Sequence, residues 1–149
     1  LLDLMEAVGA RRWVAAGWSM GGYGSLRLVT RHPEKFAAWG GLLALADFPN
    51  GAYPPEQNHS VPAVFGSHPN WAEWNPMRDV ERLRGKRLWF LSATRAFDRA
   101  MNEALSRRLK ELNIAHEFRL VEGGHELKVV VEALDPMLRF LEQGDNSTK

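Results

Sequence analysis

Trp13-Val14-Ala15-Ala16-Gly17-Trp18-Ser19-Met20-Gly21-Gly22 is the stretch on which the reading of this chain turns. Trp13 to Ala16 is a short, continuously apolar run, the pattern of a strand buried on both faces. It leads into a Gly-x-Ser-x-Gly segment, and a second helix then runs to about His32, where Pro33 ends it. A strand, a sharp turn and a helix in succession is the setting in which Gly17-Trp18-Ser19-Met20-Gly21 reads as a nucleophile elbow. Small residues two before and two after the serine allow a strained turn that lifts its hydroxyl into the open. The pentapeptide by itself is short enough to arise by chance, so the flanking strand and helix do the discriminating. A phosphate-binding loop is excluded, because its lysine is missing and the glycines are wrongly spaced.

Outward from this turn, regular elements alternate. Leu1 to Val8 has helical spacing and stops at Gly9. Phe36 to Leu45 reads as a second buried strand, with Asp47 just past its end. From Phe48 to Pro76 periodicity disappears amid Pro, Gly, Asn and aromatic residues. A stretch this long without regular structure is expected to serve as a lid or pocket wall, residues 48–76. A short helix from Pro76 to Leu83 leads to the strand Arg87 to Ser92. Phe97 to Leu112 then sets Met101, Leu105, Leu109 and Leu112 on one helical face. His116 to Val121 alternates as a last strand, Glu122-Gly123-Gly124-His125 is a tight turn, and Leu127 to Leu141 is a closing helix that Pro136 is expected to kink or restart. Residues 144–149 form a polar tail. The alternation predicts an α/β fold over residues 1–143: one domain built on a parallel sheet with helices on both faces, its ligands bound at the carboxyl ends of the strands.

Composition narrows the function. The 149 residues are 45% apolar and 25% charged, a globular balance. Nineteen basic against eighteen acidic residues leave a net charge of +1, without the electrostatic footprint of a nucleic-acid binder. No apolar run reaches bilayer length, and Leu1 to Glu6 lacks the layout of a secretion signal. With no cysteine there is no disulfide framework, thiolate nucleophile or cysteine metal site. The expectation is a cytoplasmic protein acting on a small-molecule ester, with no cofactor, metal, nucleic acid or membrane.

A serine hydroxyl is a poor nucleophile until a base takes its proton. Of the five histidines, His32 lies at a helix end, His59 and His68 in the irregular segment, and His116 at the opening of a strand. Only His125 sits in a loop at the carboxyl end of a strand, the same edge of the sheet as Ser19, and the two glycines before it let that loop bend. An acid should orient the histidine. Asp98 has the right place in the order serine, acid, histidine, but could equally cap the helix that begins near Arg99. Asp47 is the reserve. The backbone N–H of Met20, at a helix N-terminus, is placed to donate to an oxyanion. Trp18, Trp71 and Trp74 suit an apolar acyl or aryl pocket, although aromatics in such positions more often belong to the core.

These residues resemble the putative-esterase branch of the α/β-hydrolases, the group that includes S-formylglutathione hydrolase (esterase D) and the mycolyltransferases. Gly17-Trp18-Ser19-Met20-Gly21-Gly22 is similar to the family's elbow, His32-Pro33-Glu34-Lys35-Phe36 to its link into the next strand, and Gly123-Gly124-His125 to its histidine turn. The resemblance implies a serine carboxylesterase in which Ser19 and His125 are nucleophile and base. It breaks at the acid: the family's Asp comes two residues after a Gly-Thr pair, whereas here Ala93-Thr94 is followed by Arg95 and Ala96, with Asp98 two places late. It also covers only the C-terminal half of such a fold. A complete member has about four further strands before the elbow strand, and one of their loops supplies a second oxyanion N–H. Without them the elbow strand is a bare apolar edge, so a homodimer or strand-swapped assembly is expected through that edge. Acyl transfer, phosphotriester attack at the same serine, and a non-catalytic binding or assembly module are the competing functions.

Overall fold

A strand that is apolar at every position is expected where both faces of its sheet are covered. Two strands meet that condition in the computed structural model, which describes residues 2–9, 13–48 and 71–143. Strand β2 (Phe36–Leu42) is buried throughout, and β3 (Arg87–Ala93) at every position but the first. They form the centre of a four-stranded sheet. β1 (Trp13–Trp18) lies outside β2, and β4 (Glu117–Val121) lies outside β3. Every pairing is parallel.

Strands that advance one way across a parallel sheet must put their right-handed crossovers on one face. Accordingly α2 (Met20–Arg31), which joins β1 to β2, and α3 (Arg99–Glu111), which joins β3 to β4, share one apolar cluster. There Leu26, Val29, Leu105 and Leu109 meet Trp39 and Phe90. The connection from β2 to β3 ends in a 3₁₀ helix, Pro76–Leu83, which adds Val80 and Leu83 to the same cluster. After β4 the chain returns over the opposite face as α4 (Leu127–Glu142), setting Val129, Ala133 and Met137 against Ala38, Leu42 and Trp89. One tryptophan is fully buried on each face, and each indole N–H finds an acceptor. Trp39 donates to Ser25 Oγ at 3.0 Å and Trp89 to Glu117 Oε1 at 3.0 Å, so neither buried donor is left unmet.

The expected α/β fold, a parallel sheet helical on both faces, is present, with four corrections. β1 is not buried on both faces: its only partner is β2 among the described residues, and Val14 and Trp18 are exposed. Apolarity records what a strand is able to bury, and burial needs a neighbour to supply it. β2 stops pairing at Leu42 rather than Leu45, because Leu43 turns away with φ 48°. The segment 76–83 is 3₁₀ rather than α-helical and bends at Asp79. Pro136 does not restart α4, which runs as one helix from Leu127 to Glu142. The bond Pro136 cannot donate would reach the carbonyl of Glu132, an exposed residue that water can serve instead.

At the chain start, α1 (Leu2–Ala7) is a short helix. Most of the expected lid, residues 49–70, lies outside the described residues, as does the tail 144–149. The segment re-enters as a 3₁₀ turn, Trp71–Trp74. No helix among the described residues is long and apolar enough to cross a membrane.

Candidate active site

Everything at this site follows from a turn too tight for ordinary residues. Ser19 stands between β1 and α2 with φ 54° and ψ −119°, a backbone conformation that costs about 1–3 kcal/mol and persists only where the surroundings fix it. Here they do so at both ends of the residue. Its N–H donates to Leu42 O at 3.1 Å, and its carbonyl accepts from Tyr23 N at 3.1 Å and from Leu45 N at 3.2 Å. Sterics complete the constraint. A Cβ on Gly17 would lie 2.2 Å from the backbone C and O of Gly21, and one on Gly22 would lie 2.5 Å from Ala44 Cβ. The helix therefore starts directly against the strand end. As the first residue of α2, Met20 has an N–H with no intrahelical acceptor. Gly21 differs from its neighbours, since a Cβ there would meet nothing within 4 Å. The expectation that both glycines of the pentapeptide make room for the turn holds for Gly17, while the second close approach belongs to Gly22.

The loop after β4 brings His125 over this turn. Gly123 has φ 142°, and a Cβ on it would come within 2.7 Å of Val129 Cγ2, so glycine is required where the loop folds back onto α4. His125 Nε2 lies 2.9 Å from Ser19 Oγ. On the other side of the ring, Nδ1 lies 2.6 Å from Asp98 Oδ1, and the Asp98 side chain is completely buried. The imidazole is flanked by aromatics: Phe97 has its ring centroid 4.5 Å away, and Trp18 stacks at 6.2 Å with planes 29° apart.

The two readings of Asp98 separate here. It occupies the position before α3 but makes no side-chain capping bond, and its carboxylate turns inward. Oδ2 accepts from Ser92 Oγ at 2.6 Å and from Asn102 Nδ2 at 3.0 Å. The late position of the acid is absorbed by a tight turn after β3, closed by Ala96 N to Ala93 O at 3.1 Å. That turn is stitched to the histidine loop. Thr94 N donates to Val121 O at 2.9 Å, Arg95 N to Gly123 O at 2.8 Å, and Thr94 Oγ1 to Glu122 Oε2 at 2.9 Å, while Arg95 pairs with Glu122. Asp47 is engaged elsewhere, accepting from Asn75 Nδ2.

Of the tryptophans proposed for a pocket, Trp18 is half exposed and faces His125. Trp74 is held on α2: its carbonyl accepts from the Tyr23 hydroxyl at 2.9 Å, and the Arg27 guanidinium lies 5.5 Å from its ring centroid. Burial pushes the Tyr23 hydroxyl above its usual pKa, against the opposing pull of Arg27, and pushes Arg27 below its own. The Trp71 side chain lies outside what is described. Three contacts were missed from sequence: Phe97, Ser92 and Asn102. Two had a signal, since Ser92 is the lone hydroxyl residue in the apolar run Leu88–Ala93 and Asn102 lies one helical turn beyond Asp98. Among the described residues no group of three or more His, Asp or Glu is arranged to hold a metal ion.

Solved structures with the same fold include a ferulic acid esterase, at 24% identity and TM-score 0.69, matched over 85% of this chain and 49% of that one. The fluorophosphonate-binding serine hydrolase F of Staphylococcus aureus matches at 18% identity and TM-score 0.75, over 94% of this chain and 61% of that one. An S-formylglutathione hydrolase from Agrobacterium tumefaciens matches at 17% identity and TM-score 0.74, over 93% and 53%. The chain thus spans about half to three fifths of the length of these relatives. At such identities the likeness is one of fold. No curated protein gives a significant match. The Putative esterase family matches residues 2–141, nearly the whole sequence, and the chain belongs to that family.

Proposed function

We propose that this protein is a serine carboxylesterase that cleaves small or medium acyl esters through an acyl-serine intermediate. The observation that carries the reading is the unbroken relay Ser19, His125, Asp98, with contacts of 2.9 and 2.6 Å. Ser19 Oγ attacks the ester carbonyl carbon as its proton passes to His125 Nε2. The carbonyl π electrons move onto oxygen, and the Met20 N–H donates to the resulting oxyanion. Collapse expels the alcohol, which takes the proton from His125 and leaves Ser19 acylated. Water then adds to the acyl carbon as its proton passes to His125, and collapse breaks the acyl–Oγ bond, returns that proton to Ser19 and releases the acid. Asp98 accepts from Nδ1 throughout, so that Nε2 faces the serine as an acceptor, and it balances the imidazolium charge. Trp18 and Phe97, beside the imidazole, form an aromatic wall suited to an acyl or aryl group.

A fluorophosphonate probe tests this directly. Stoichiometric labelling that vanishes in Ser19→Ala is expected, together with a large loss of p-nitrophenyl acetate turnover in His125→Ala. A wild-type protein that takes no label, or a His125→Ala variant at full rate, would overturn the assignment.

Among the described residues β1 is paired on one side only, by β2, which supports one further element of this reading: the chain self-associates by pairing strands along the other side. Light scattering should report a dimer, and a monodisperse monomer at micromolar concentration removes the idea.

A further inference from the structure

We propose that Asn102, assisted by Ser92, is a positioning residue that locks the Asp98 carboxylate toward His125 and ties it to the nucleophile turn. The inference rests on the serine-hydrolase reading and extends it to residues that never touch substrate. Asn102 is completely buried. Its two amide N–H bonds serve three acceptors, one hydrogen being shared: Asp98 Oδ2 at 3.0 Å, Asp98 O at 3.0 Å and Ala44 O at 2.8 Å. Its own Oδ1 has no hydrogen-bond partner among the described residues. Reversing the amide would satisfy nothing, because it would set a carbonyl oxygen against three others. A buried carbonyl without a donor is destabilising, and its retention calls for an explanation.

The explanation lies in what the nitrogen joins. Asp98 Oδ1 faces His125 while Oδ2 receives the Ser92 hydroxyl and the Asn102 amide. A carboxylate with donors on both oxygens has one orientation about its terminal torsion, and a buried anion is tolerated only when so satisfied. The third acceptor, Ala44 O, belongs to the segment that packs on Gly22 and is followed by Leu45, whose N–H holds the Ser19 carbonyl. One side-chain nitrogen therefore spans the acid and the segment holding the nucleophile, fixing the distance that the histidine must bridge.

The test is a double-mutant cycle on the rate of fluorophosphonate labelling. Asn102→Leu keeps the branched shape, at a somewhat larger volume, and removes the donor, and its labelling rate should fall roughly ten- to a hundredfold. In an Asp98→Ala background the same substitution should change the rate by less than about twofold, because a residue acting through the Asp98 carboxylate has nothing left to act on. A general structural defect would lower the rate equally in both backgrounds, and that result overturns the proposal. So does a folded Asn102→Leu protein labelling at the wild-type rate. Should Asn102→Leu not fold, Ser92→Ala, a smaller change, is taken through the same cycle, with a loss of roughly threefold or more expected only when Asp98 is present. A wild-type protein that takes no label at Ser19 defeats the parent reading and this one together.

Discussion

Three loops at the same edge of the sheet hold the candidate site, in two regions that are held by different physics. The turn at Ser19 is fixed by excluded volume: Gly17 and Gly22 leave no room for a side chain, and the backbone is strained at the residue between them. The pair of loops that present Asp98 and His125 is fixed mainly by hydrogen bonds, running from Thr94 and Arg95 across to Val121, Glu122 and Gly123. Excluded volume is all-or-none, whereas a set of hydrogen bonds can lose one member and keep its shape. The two regions should therefore fail differently when they are perturbed.

The largest effect is expected at Gly17. A methyl group there would sit 2.2 Å from backbone atoms of Gly21, and backbone cannot rotate away as the end of a side chain can. Gly17→Ala should cost about 3 kcal/mol or more, lowering Tm by roughly 6 °C or more at this chain length. It should also abolish fluorophosphonate labelling, because strand and helix must separate for the methyl to enter. A variant that melts and labels like the wild type would show that the turn is softer than its geometry implies.

The same contrast explains how much of the molecule was legible in its sequence. The elbow could be read because steric necessity leaves a mark: only glycine fits at Gly17, and glycine is visible. His125 was found because it follows two glycines in a loop at the end of a strand, and Gly123 does take a positive φ there. Asp98 could not be settled by spacing, since a hydrogen-bonded loop such as 94–98 accommodates two extra residues by turning once more. Asn102 left only a weak trace, as an asparagine one turn into a helix is unremarkable until its partners are known. The parallel sheet with helices on both faces followed from the alternation of strands and helices. The exposure of β1 did not, because an apolar run carries no information about whether a neighbour is there to cover it.

A smaller effect should follow at Thr94. Thr94→Val keeps the side-chain shape and removes the hydroxyl that donates to Glu122 Oε2 and accepts from Gly123 N at 3.4 Å. Both contacts are partly exposed, so the expected loss is about 1 kcal/mol or less. The backbone bonds from Thr94 and Arg95 remain. Thermal melting should show a fall of roughly 2–4 °C at most, and labelling should slow by no more than about tenfold. Complete loss of labelling would mean that the stitched loops are as brittle as the elbow, and the distinction between the two regions would fail.

The smallest expected effect is the sharpest probe of the elbow itself. Gly21 belongs to the same pentapeptide as Gly17, but a Cβ at Gly21 would meet nothing within 4 Å, and the residue is exposed in the first turn of α2. Alanine is the better helix former by up to about 1 kcal/mol, less in a first turn, and it also restricts the unfolded chain. Gly21→Ala should therefore raise Tm slightly, by up to roughly 3 °C. If excluded volume acts at this turn only where backbone meets backbone, labelling by a small fluorophosphonate will be unchanged. A variant that is more stable yet labels slowly would assign Gly21 to a second task, keeping open the space above Met20, the proposed oxyanion donor, through which an ester would reach Ser19. A variant that is less stable would show that the described surroundings of Gly21 are not its full environment, and the steric account of the elbow would have to include whatever covers it.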